Sequence, residues 1–112
     1  MRRVASSKVY INNEEFYNNH IVELFDSFVV NHYGLQSELP MTEWLGGVIV
    51  FLHAELTLYD LLGCKSISDF FRVAECAEEH CPRPFAWHIT NVDLETGMLT
   101  PSSIITMLED KE

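Results

Sequence analysis

Positive charge is scarce in this chain. Seven Lys and Arg face seventeen Asp and Glu across 112 residues, a formal net charge of -10. Such a chain repels polyphosphate backbones instead of releasing their counterions, so nucleic acid is not expected as a partner, and neither are anionic membrane surfaces. The cations Arg2, Arg3, Lys8, Lys65, Arg72, Arg83 and Lys111 are scattered, so no basic stripe offsets the acidity. Cysteine is also scarce. Cys64, Cys76 and Cys81 make an odd set that does not read as a disulfide framework and suits a reducing, cytoplasmic setting. Long apolar runs are missing: the longest, Trp44 to Leu52, has nine residues and contains Gly46-Gly47, whereas a membrane span needs about 20. Arg2-Arg3 leads into Ala5-Ser6-Ser7-Lys8 and not into an apolar core, so no secretion signal is expected.

Apolar residues are plentiful, at 47% with 12% aromatic, enough for one core at this length. No repeat, linker or low-complexity tract interrupts residues 1–112, so a single domain is expected. The fold class expected is α+β, because the hydrophobic period changes near His53. Upstream, β-branched and aromatic runs separated by short turn signals predict an antiparallel meander of about four strands. These are Lys8–Ile11, then Phe16–Phe25 after an Asn12-Asn13 turn, then Phe28–Tyr33 after Asp26-Ser27, and finally Trp44–Leu52 after a connection containing Pro40. Val48-Ile49-Val50-Phe51 is apolar on both faces, which predicts a central strand. A rival assignment winds 14–33 and 43–62 into helices capped at Asn13 and Thr42; β-branched density and Gly46-Gly47 weigh against it.

Downstream, Thr57 with Asp60 and Ser66 with Asp69 look like capping pairs opening helices over 57–63 and 67–81. Ile67, Phe70, Phe71, Ala74, Ala77 and Cys81 fall on one helical face, and Pro82-Arg83-Pro84 ends it. Phe85–Thr90 reads as a strand and Glu95-Thr96-Gly97 as a turn. A C-terminal strand or hairpin is expected; residues 102–108 fit a strand, or a helix opened by Thr100-Pro101.

Several features of 9–50 form one further pattern: short strands, a hairpin at Asp26, the Glu-Leu-Pro-Met-Thr-Glu connection at 38–43, and Gly46-Gly47-Val48-Ile49-Val50. In these features the stretch resembles the small N-terminal β-sandwich of amidohydrolases such as cytosine deaminase-like enzymes. In that family the strand leads into a barrel carrying a His-x-His metal pair. Here His53-Ala54-Glu55 follows, with one histidine and no room for a barrel of about 200–250 residues, so the resemblance implies a related β-module without the enzyme.

Candidate chemistry is sparse. Cys76 and His80 stand at i, i+4 with Cys81 adjacent and His88 close behind, the only grouping with metal-ligand spacing, although no Cys-x-x-Cys knuckle occurs. Cys64 lies before the helix start at Ser66, where a helix N-terminus would lower a thiol pKa. Glu14-Glu15 and Glu78-Glu79 read as solvated faces, and no Gly-x-Ser-x-Gly elbow or phosphate-binding glycine loop is present. No cofactor and no catalytic residue is expected. The leading expectation is a non-enzymatic accessory or protein-interaction domain that binds a protein partner or self-associates through uncovered strand edges and aromatics such as Trp44, Trp87, Tyr10, Tyr17 and Tyr33. Two alternatives are a small metal- or thiol-dependent enzyme using Cys76, His80, Cys81 or His88, and a small-ligand module with its pocket between the sheet and helix 67–80.

Overall fold

The computed structural model describes residues 1–35 and 41–110. Residues 38–40 of the 38–43 connection, Pro40 among them, and Lys111 lie outside the described residues. The elements in order are β1 (Arg2–Tyr10), β2 (Phe16–Phe25), β3 (Phe28–Gly34), β4 (Thr42–Leu52), α1 (Leu58–Leu61), α2 (Ile67–Glu75), β5 (Phe85–Ile89) and β6 (Ile105–Met107). Residues 14–33 and 43–62 are therefore not the two helices of the rival assignment. Among the described residues no helix is long and apolar enough to cross a membrane.

The six strands form one mixed sheet in the order β3-β2-β1-β4-β5-β6. A four-strand meander is not what forms: β1 to β3 make the meander, and β4 lies parallel to β1 on its other side. The physical reason is the two-sided apolarity of β4. Next to β3 it would be an edge strand with one face wet; between β1 and β5 both its faces are covered. Val48, Val50 and Leu52 pack with Phe85, Trp87 and Ile89 under the helices, while Ile49 and Phe51 join Val4, Val9, Val22, Leu24 and Leu108 on the opposite face. Full burial of side chains such as Phe51 and Leu52 contributes about 1.5–3 kcal/mol each.

The sheet curls strongly. The Val29 amide donates to the Pro84 carbonyl at 2.9 Å, the Phe28 and Phe85 rings lie 4.7 Å apart, and the Asp110 amide donates to the Asp26 carbonyl at 2.8 Å. The start of β3 thus meets the start of β5, although three strands separate them in the sheet order. Asp26 takes φ +57 to make the β2–β3 turn, as expected of Asp. On the β3 edge, the Asn31 side chain accepts from the His32 amide at 3.0 Å.

The helices form where the caps predict them but are shorter. Thr57 and Asp60 make a reciprocal capping box, the Asp60 carboxylate accepting from the Thr57 amide at 2.7 Å. Ser66 accepts from the Asp69 amide at 3.3 Å, whereas Asp69 reaches past Ser66 to the Lys65 amide at 2.9 Å, which holds its carboxyl below the usual range. Ile67, Phe70, Phe71 and Ala74 are buried as the period requires. The helix stops at Glu75 and not at Cys81, because Glu75, Glu78 and Glu79 crowd the negative end of its dipole with only Arg72 in the last turn to compensate. Ala77 and Cys81 still pack against the core from the irregular segment that follows. At the C-terminus, 105–107 pair with β5 as a strand, so no helix opens at Thr100.

Gly46-Gly47 inserts one extra residue into β4 where it passes Ser7 of β1. Gly47 has φ +77, and a Cβ there would collide with the Ile89 carbonyl oxygen of β5; at Gly46 a Cβ would meet nothing within 4 Å. We therefore expect Gly47→Ala to cost about 2 kcal/mol or more, and Gly46→Ala to stay within about 0.5 kcal/mol of the parent, read from urea denaturation midpoints.

Candidate functional site

A groove of about 240 Å³ opens between α2, the end of β4 and the β1–β2 loop. Its floor is apolar and buried: Leu52 from β4 with Phe71 and Ala74 from α2, while Phe51 borders it on β4 with its side chain packed on the opposite face of the sheet. Half-buried Ile11 forms one wall, and the exposed rim consists of Asn12, Asn13, His53, Glu75 and His80.

Local chemistry fixes each wall. The Asn12-Asn13 turn does not use the left-handed residues expected of it; instead the Asn12 side-chain oxygen accepts from the Glu14 and Glu15 amides at 2.8 and 2.9 Å, and the Ile11 amide donates to the Glu15 carbonyl at 2.9 Å. This latched loop is wider than a two-residue turn and stands clear of the sheet. On the far side, the Cys81 amide donates to the His53 carbonyl at 2.7 Å, and the His53 ring Nδ1 lies 3.0 Å from the Cys81 carbonyl. A carbonyl only accepts, so Nδ1 carries the proton, and the neutral ring keeps its lone pair at Nε2. This two-way link ties the segment after α2 to the end of β4, which sets His80 at the rim.

A second polar cluster lies on β2 and β3. His20 is buried, stacks on Tyr17 at 4.8 Å, and its Nε2 lies 2.9 Å from Nδ1 of His32, whose ring meets Phe51 edge-on at 5.3 Å. One imidazole donates to the other, so the bond survives only while at least one facing nitrogen is unprotonated. Burial, and then the charge of His32, holds the His20 pKa below the ordinary value. On the opposite face of β2, buried Glu23 accepts from Tyr33 Oη at 2.7 Å and from Arg3 Nε at 3.0 Å, and these bonds, Tyr33 first, hold its pKa down.

Of the residues singled out for metal chemistry, Cys76 is the exposed C-cap of α2, His80 stands on the groove rim, half-buried Cys81 is held through its backbone by His53, and His88 on β5 bonds the Gly46 carbonyl through Nε2. Among the described residues no three His, Cys, Asp or Glu side chains gather so as to hold a metal ion. The helix start at Ser66 does not activate Cys64, which is half-buried as an inert thiol would be: burial and then the Asp69 carboxylate push its pKa up, Arg72 offsetting only part. Glu15 accepts from Asn12 and Tyr17, and Glu78-Glu79 is exposed. Trp87 is buried and Trp44 exposed. Neither the groove nor the histidine pair was anticipated residue by residue.

No protein-family model matches the chain, and neither a curated protein nor a solved structure matches it significantly.

A neutral buried His20 binds fewer protons folded than unfolded below the ordinary imidazole value of about 6.5, so its contribution to stability is complete above that pH and lost as pH falls toward the folded value. Urea midpoints should therefore drop between about pH 6.5 and 5, and His20→Gln should flatten that slope. Tyr33→Phe removes the first bond holding the Glu23 pKa down; we expect a loss of about 1 kcal/mol at neutral pH that shrinks as acid protonates Glu23, measured by the same titrations.

Proposed function

We propose that this chain is a non-catalytic binding domain and that the groove beside α2 is its recognition site. The observation that carries the reading is a set of buried apolar side chains, Leu52, Phe71 and Ala74, arranged as a floor beneath an exposed polar rim. Convergent apolar surface with a few polar groups at its margin is the usual form of a binding site, because the floor supplies burial and the rim supplies orientation. At about 240 Å³ the groove is smaller than the roughly 300–1,000 Å³ of drug-sized sites, so it suits one apolar side chain of a partner, or a molecule of that size. The rim favours holding over chemistry: the His53 Nδ1 proton is committed to the Cys81 carbonyl. The resemblance of 9–50 to an amidohydrolase β-module, followed by His53-Ala54-Glu55 where that family carries a His-x-His pair, supports the same non-enzymatic reading.

Indole, a neutral apolar solute the size of one side chain, tests it. Weak, saturable binding should shift the amide resonances of Leu52, Phe71 and Ala74 while leaving those of β6 in place. Ala74→Phe should fill the groove, abolish those shifts and leave the fold intact by circular dichroism. Indole shifts spread evenly over the surface, or unchanged by Ala74→Phe, would remove the groove from consideration.

A further inference from the structure

We infer that the occupant of the groove is a basic polypeptide segment that inserts one apolar side chain between α2 and the β1–β2 loop, a reading that rests on the groove being the recognition site. The charge around the floor is almost of one sign. Glu75 is on the rim; Glu14 and Glu15 follow the lining Asn12 and Asn13, Glu78 and Glu79 precede the lining His80, and Glu55 lies two residues beyond His53. The cations close by in sequence are Arg72, in the last turn of α2, and Arg83.

Four of the chain's basic residues are engaged elsewhere. Arg2 pairs with Glu43 at 2.6 Å, Arg3 with Glu23 at 3.0 Å and Arg72 with Asp69 at 2.9 Å, while Lys8 donates to the Leu94 carbonyl at 2.7 Å and lies over the Phe16 ring. None of these pairs involves the six carboxylates around the groove, so their charge is not neutralised by a described side chain. A ligand carrying cations on both sides of an apolar anchor would neutralise it.

The spread of the carboxylates selects a polypeptide. They lie on three segments: the β1–β2 loop, the link after β4 and the end of α2. A single small amine reaches one or two of these, whereas an extended chain of about 3.3 Å per residue crosses all of them with its anchor seated on Phe71 and Ala74. Each exposed charge pair is worth about 1.4- to 5-fold in affinity at moderate ionic strength and less at high salt.

Three probes decide the matter, each titrated into the full chain by calorimetry and followed by amide shifts. They are a blocked pentapeptide with leucine flanked by two lysines on each side, its counterpart with glutamates for lysines, and spermidine. The lysine peptide should bind about tenfold or more tightly than the glutamate peptide, shift Leu52, Phe71 and Ala74 as indole does, and lose this preference as sodium chloride is raised. The combined variant Glu14→Gln, Glu78→Gln, Glu79→Gln, none of which lines the groove, should weaken the lysine peptide by about fivefold or more and leave indole binding unchanged. Equal binding of the two peptides, spermidine binding as tightly as the lysine peptide, or indifference to the triple variant would overturn the basic segment while indole still binds. Loss of indole binding itself is the separate result that removes the groove.

Discussion

The arrangement depends on how β4 is held between β1 and β5. Gly47 takes a left-handed conformation with its Cα against the Ile89 carbonyl, a position no side chain can share. The bulge advances β4 by one residue relative to β1, since Arg3 stands opposite Thr42 before it and Lys8 opposite Val48 after it. That step sets which of Val48 to Leu52 turn toward the helices and which toward the other face. Because side chains alternate, a strand one residue out would exchange the whole set. The helix-side core, the opposite core and the part of the groove floor formed by Leu52 all inherit this register.

The groove follows from a helix that ends early. Ser66 and Asp69 fix where α2 begins, and its apolar stripe fixes the face it lays on β4 and β5. Glu75 at its end and Glu78 and Glu79 just beyond oppose its extension, so the helix does not continue over Leu52. The following segment is tied down by His53 and Cys81, leaving apolar floor uncovered between two anchored walls. Stability and recognition thus share residues: Phe71 and Ala74 are core on one side and floor on the other.

Much of this was legible in local pattern. The stripe Ile67, Phe70, Phe71 and Ala74, the two caps, the Asp26 turn and the centrality of Val48–Phe51 are short-range signals, and each has its physical counterpart in the structure. What was not legible is non-local. The parallel pairing of β1 with β4 joins segments about forty residues apart, and no turn encodes it. The histidine pair depends on a bulge: Leu24 stands opposite Val29, but Glu23 stands opposite Asn31, so Val30 is an extra residue. Without it His32 would face Ile21 and lie on the other side of the sheet from His20; with it His32 stands opposite Val22, on the His20 side. Asn12 was read for its backbone tolerance when its side-chain oxygen was the operative group.

The Asn31 side chain on the His32 amide bears on how such a molecule can meet another. A sheet margin grows by recruiting a foreign ribbon through its vacant amides, the step that begins fibrils and strand-swapped pairs. Here two amides of the outermost ribbon are already occupied, one by Asn31 and one by the Pro84 carbonyl. The ribbon at the other margin is only three residues long. A newcomer would have to displace these internal bonds before forming its own, which turns recognition away from backbone zippering and toward shape and charge.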